Sequence, residues 1–132
     1  MPSAERREAR SRPVYLDLLR IRLPLPGIVS ILHRVSGALL FLAGIPLLLA
    51  CVATSLGSPE SFAQLRGTLA HPLAKLVLLG LAWAYFHHFC AGIRFLLLDV
   101  LKGIELPAAR RTSVVVLVVS LALTAVVGAR LW

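Results

Sequence analysis

The sequence predicts an all-α membrane protein with three transmembrane helices and a cytoplasmic N-terminus. Three observations carry that reading. Hydrophobic residues make up 58% of the 132 positions, and mean hydropathy is +0.86, far more apolar surface than a soluble domain of this length can hide. Three stretches, Val35–Leu56, Leu76–Ile93 and Thr112–Ala129, contain no Asp, Glu, Lys or Arg. At 1.5 Å of rise per residue each is long enough to cross a hydrocarbon layer of about 30 Å. The basic residues, finally, are distributed unevenly between the segments that flank these stretches.

Residues 1–12 are polar and charged, and residues 13–27 mix apolar with basic residues before breaking at Pro24 and Pro26. Together, residues 1–27 read as a cytoplasmic and interfacial segment that turns into the membrane. The rest, 28–132, reads as one three-helix transmembrane domain. Helix one is expected over about 28–55, with Pro46 as a kink of the kind membrane helices tolerate. A loop is expected next, over Gly57–Ala70. Pro72 is suited to open helix two, expected over 72–101 and ended by Gly103. Pro107 punctuates the second loop, helix three is expected over 112–131, and Trp132 is an interfacial anchor. No repeat or low-complexity tract divides the chain.

The formal net charge of +8 would suggest nucleic acid as a partner in a soluble protein. Here the basic residues flank apolar spans, so topology is the more economical reading and no nucleic-acid partner is expected. Arg6, Arg7, Arg10, Arg12, Arg20, Arg22 and Arg34 precede or open the first span, and Lys102, Arg110 and Arg111 lie between the second and third. The first loop holds only Arg66, with Lys75 just beyond it, and the C-terminus only Arg130. The N-terminus and second loop are therefore expected on the cytoplasmic side. The first apolar run is too long and starts too late for a secretory signal, and Glu5 and Glu8 count against a mitochondrial presequence. A bacterial inner membrane is the expected location. Cys51 and Cys90 fall in apolar spans, and no CxxCH occurs, so a haem would be held non-covalently.

Helices in lipid associate through small residues that let backbones approach. Ser30, Gly37, Gly44 and Cys51 recur in helix one, Gly80, Ala84, His88 and Gly92 in helix two, and Ser120, Thr124 and Gly128 in helix three. Ionisable residues inside spans are costly unless they have a task. His88 has two readings: a histidine bonded to a carbonyl or hydroxyl of a neighbouring helix, or an axial haem ligand set among small residues that admit a flat porphyrin. His87 is rotated by about 100° on the helix and reads as an interfacial or hydrogen-bonded histidine. Ser30 and Arg34, at i and i+4, share a face. Arg34 is either a snorkelling arginine or part of a polar pocket with His33 that meets haem propionates or a quinone carbonyl. Arg94 and Asp99 read as an interfacial arginine and a helix-end acid. Paired carboxylates, nucleophile triads and phosphate loops do not occur, so nothing here performs hydrolysis or group transfer alone.

The run RPVYLDLLRIRLPLPGIVSILHRVSG, Arg12 to Gly37, resembles the N-terminal signature of the succinate dehydrogenase cytochrome b556 subunit family. HFCAGIRFLLLD, His88 to Asp99, resembles the second signature of that family, and order and spacing agree. The resemblance implies that His88 is an axial ligand of haem b, with the second histidine supplied by a partner anchor subunit. It implies that Ser30 and Arg34 line a ubiquinone site, that His33 and Arg34 lie near a haem propionate, and that Asp99 stands near the quinone. The family's histidine after Gly-x-Arg is Phe95 here, a departure that affects the surroundings but not the ligand.

The resemblance thus implies a membrane anchor of succinate:ubiquinone oxidoreductase in a heteromeric bundle, with an iron–sulfur subunit, a flavoprotein subunit, a second anchor subunit and the lipid bilayer as partners. Succinate would be oxidised elsewhere and electrons delivered to ubiquinone at a pocket this chain shares. The alternatives are a haem-free structural anchor of the same superfamily and a small channel. A channel needs a polar stripe through a whole span, whereas these polar residues cluster at one end.

Overall fold

The computed structural model describes residues 22–132. The interfacial segment expected before helix one therefore lies, up to residue 21, outside the described residues. Among the described residues five α-helices occur in order: α1 (Leu25–Leu39), α2 (Ile45–Gly57), α3 (Pro59–Ala70), α4 (Pro72–Asp99) and α5 (Leu106–Leu131). A π-helical turn, Leu40–Gly44, joins α1 to α2 without a break. Three continuous helices, Leu25–Gly57, Pro72–Asp99 and Leu106–Leu131, are long and apolar enough to cross a membrane.

Pro46 explains the π-turn. A proline inside a helix has no N–H to donate, and its ring collides with the carbonyl four residues back, here that of Leu42. The chain widens just ahead of it, so that Ile45 N–H reaches the carbonyl of Leu40, five residues back. The expected kink thus takes the form of a one-turn π-bulge.

Helix three begins at Leu106, six residues before the expected start, and Pro107 sits in its first turn instead of punctuating a loop. Proline is compatible with that position because the first N–H groups of a helix have no partner in any case. Helix two ends at Asp99, earlier than expected, and its stop is not Gly103. Leu101 adopts φ 58°, with Leu101 N–H bonded to Leu98 O at 2.9 Å and Lys102 N–H to Leu97 O at 2.9 Å. These are the paired bonds of a Schellman ending, built on a residue with a side chain and strained by about 1–2 kcal/mol.

The segment read as the first loop is helix α3. Ser58 caps it: its hydroxyl accepts from Ser61 N–H at 3.2 Å, and Ser61 Oγ accepts from Ser58 N–H at 2.9 Å. This reciprocal pair uses serine where glutamate or glutamine is usual, so the capping signature is easily missed. Ser61, Leu65 and Leu69 form the half-buried stripe of α3, and the other residues are exposed. Replacing Ser58 by alanine is expected to speed hydrogen exchange at Ser61 N–H roughly fivefold, from the loss of about 1 kcal/mol of capping. An unchanged rate would mean the cap is not holding this helix end.

α4 is central, packing on α1 at one side and on α5 at another. Few large side chains are buried there. The covered face of α4 is Ala84, His87, Ala91 and Arg94, at alternating steps of three and four. It meets Val29 and Ser36 of α1 and Ser113, Val116 and Ser120 of α5. Small and hydroxyl-bearing residues at the contacts, with leucines and valines left outside, are the pattern of helices packed in lipid. The stripes expected from sequence are partly used. A Cβ on Gly128 would stand 3.3 Å from Leu79, and one on Gly37 would collide with His88, whereas Gly80 faces open space. At the far end, the ammonium of Lys75 lies over the Trp132 ring at 5.3 Å.

Candidate functional site: a histidine held between two spans

α1 and α4 run antiparallel, which brings His33 level with Gly92 and Gly37 level with His88. The rings of His33 and His88 stack 4.2 Å apart and only 7° from parallel. His88 Nδ1 lies 3.0 Å from the carbonyl of His33. A carbonyl only accepts, so Nδ1 carries the proton and Nε2 holds the lone pair. Ser36 Oγ donates to the same carbonyl at 2.9 Å and lies 3.4 Å from His88 Nδ1. Two donors therefore converge on one backbone oxygen.

Gly37 closes the other side. A Cβ there would come 2.7 Å from His88 Cε1, 3.1 Å from Nδ1 and 3.6 Å from Nε2. The Nδ1–Cε1 edge of the imidazole thus lies nearest the backbone of α1, with Nε2 the farthest of the three atoms. His33 also meets Phe95, centroid to centroid at 5.1 Å with the rings tilted by 51°. Phe95 is thus an apolar neighbour of the His33 ring.

Ser30 and Arg34 lie one turn towards the start of α1. Arg34 Nε donates to the Ser30 carbonyl at 3.3 Å, and the rest of its exposed guanidinium remains available. Asp99 is exposed at the last position of α4, apart from the histidine pair.

Two residues stand differently from expectation. His87 is neither interfacial nor hydrogen-bonded: it is fully buried, and neither ring nitrogen has a partner among the described residues. Both α1 and α5 cover the face of α4 to which it belongs, about 100° around from His88, and its ring lies 5.4 Å from that of Trp83. Arg94 is not at an interface with water. It is 5% exposed, with Nε on Thr112 Oγ1 at 3.0 Å and an Nη on Ala109 O at 3.5 Å.

Sequence reasoning also missed Ser36 and Gly37 as the floor beneath His88. The available signal was their place in the first signature, three and four residues after His33, hence on its face of the helix. Among the described residues no three of His, Cys, Asp or Glu converge on one point. The chemistry of the site is that of one oriented imidazole with a free nitrogen, beside a cluster of cationic and hydroxyl donors.

Three helices long and apolar enough to cross a membrane define a multi-pass helical membrane protein. Residues 8–127 match the family described as succinate dehydrogenase/fumarate reductase transmembrane subunit, and the chain belongs to that family. It is similar to the succinate dehydrogenase cytochrome b556 subunit of Coxiella burnetii, 36% identical over 92% of this chain and 97% of the relative. The subunit of the same name from Paracoccus denitrificans is 35% identical over 78% of each chain. That from Rickettsia felis is 31% identical over 86% of this chain and 87% of the relative.

Proposed function

We propose that this subunit binds one haem b through His88 Nε2 and forms part of the site at which a succinate:ubiquinone oxidoreductase reduces quinone. The observation that carries the reading is the Nδ1–H bond of His88 to the His33 carbonyl. Metal-ligating histidines characteristically donate their second nitrogen to such an acceptor, which fixes the tautomer and the ring plane and makes the ligating nitrogen more basic. The residues fit the group: the acceptor, the stacked His33 ring and the Gly37 backbone hold His88 through its Nδ1 side, which leaves Nε2 without a hydrogen bond among the described residues. A haem b bound there supplies a one-electron redox centre within the membrane.

A second haem ligand would come from a partner anchor subunit. His33 lies flat against His88 and His87 is enclosed on a different face of α4, so neither would serve as a second ligand beside His88. His33 and Arg34 would donate to propionate carboxylates. Arg34 and Ser30 orient a ubiquinone carbonyl, and the guanidinium favours the negative charge that develops on that oxygen as electrons arrive. Asp99 lies on the same membrane side as Ser30, because α1 enters where α4 leaves, and offers a carboxylate exposed to water for proton exchange. The basic residues around α1 and the α4–α5 turn support a cytoplasmic N-terminus in a bacterial inner membrane.

The test is purification of the tagged chain from its native membrane. One haem b per chain should co-purify, together with flavoprotein and iron–sulfur subunits and succinate:ubiquinone reductase activity. Recovery of the assembled complex without haem would overturn the haem assignment, and recovery without the hydrophilic subunits would overturn the role as their anchor.

A further inference from the structure

Arg94 needs a counter-charge that the described residues do not provide. A guanidinium inside a span is stabilised by pairing or by access to water. Arg94 is almost wholly buried, and its hydrogen-bond acceptors among the described residues, Thr112 Oγ1 and Ala109 O, are both neutral. It uses two of its five N–H donors in this way. Its ring contact, Phe95 at 5.4 Å, is neutral as well.

This cation lines a groove of about 400 Å³ between α4 and α5. Ile93 and Leu97 of α4 and Val115, Val116 and Val119 of α5 form apolar walls, and Lys102 and Gly103 stand at the mouth. All of these wall residues but Val116 are well exposed, so the groove is open along its side. The turn at its mouth is basic: residues 94–112 contain Arg94, Lys102, Arg110 and Arg111 against Asp99 and Glu105. An apolar trough ending at a buried arginine and an exposed lysine matches an amphiphile with a hydrocarbon chain and an anionic head. Basic pockets between membrane helices near a cytoplasmic surface bind anionic phospholipid in this manner, with arginine the preferred partner of phosphate oxygens.

We propose that the α4–α5 groove is a binding site for an anionic phospholipid, whose acyl chain lies against Ile93, Val115 and Val119 and whose phosphate is held by Arg94 and Lys102. The site is on a different face of α4 from His88 and does not depend on haem or quinone binding.

The test uses the full chain purified in its native assembly, exchanged into detergent micelles containing phosphatidylglycerol or phosphatidylcholine with matched acyl chains. Bound lipid is counted by native mass spectrometry. The wild type should retain one phosphatidylglycerol in preference to phosphatidylcholine. Val119→Trp, which fills the trough, should abolish that retention, and Lys102→Gln should weaken it roughly fivefold, the effect of one basic residue at an anionic headgroup. Lys102 is exposed at the helix end, so its variant decides the matter even if Val119→Trp fails to fold. Equal retention of the two lipids by the wild type, or unchanged phosphatidylglycerol retention in Lys102→Gln, would overturn the proposal. So would a folded Val119→Trp variant that keeps its lipid but sheds a protein subunit, since the groove would then be a protein interface.

Discussion

Replacing Arg34 by leucine is expected to lower quinone reduction by the assembled complex about a hundredfold, leaving succinate oxidation by an artificial dye unchanged. A fixed donor aimed at a developing oxyanion contributes a rate factor on the order of 10²–10³ in a site shielded from water. Arg34 is suited to that task because its backbone-anchored Nε, 3.3 Å from the Ser30 carbonyl, fixes the plane of the guanidinium. The split between the two assays separates a quinone-site defect from failed assembly, which would depress both. If Arg34 serves only to satisfy the charge asymmetry of the membrane, both activities will stay near wild type, as they should for a lysine at the same place.

Alanine at Gly37 is expected to weaken haem retention about tenfold, although the change adds a single methyl group. That methyl would approach His88 Cε1 to 2.7 Å. The ring must swing away, and in doing so it loses the Nδ1–H bond to His33 O that defines its tautomer. Overpacking of this kind costs about 1–3 kcal/mol, which brackets a tenfold change. Helicity should be unaffected and the haem lines in the electron paramagnetic spectrum should shift, because the imidazole plane has turned. Unchanged lines together with full haem content would mean that α1 does not set the orientation of His88.

The spans were legible because lipid imposes a severe rule: a charge-free apolar stretch of sufficient length has few other uses. Their ends were less so. Pro107 is equally compatible with a loop and with the first turn of a helix, and tertiary context chose the helix. α3 escaped notice because its capping box uses two serines, and because only Ser61, Leu65 and Leu69 mark its covered side. Pro46 signalled a disturbance of helix one but not its form, since kinks and π-bulges answer the same missing N–H.

In the site, the contrast between His87 and His88 is instructive. Adjacent in sequence, the two histidines are separated by about 100° around the helix, and which of them is enclosed depends on where α5 packs. Within the stripe of Gly80, Ala84, His88 and Gly92, both His88 and Gly92 meet α1, but Gly80 faces open space. The two sequence readings of His88 are compatible with each other. Bonding of Nδ1 to a neighbouring helix is what leaves Nε2 oriented and free. The burial of Arg94 against Thr112 was not legible at all, because it requires α5 to extend back to Leu106 and carry Ala109 and Thr112 alongside.

The most direct test of the haem assignment is a dithionite-reduced minus oxidised visible spectrum of the purified complex, wild type beside His88→Ala. A sharp b-type α-band is expected in the wild type and its loss in the variant, with the protein subunits still assembled. A band of unchanged position and intensity in His88→Ala would contradict the assignment and move the ligand to another residue.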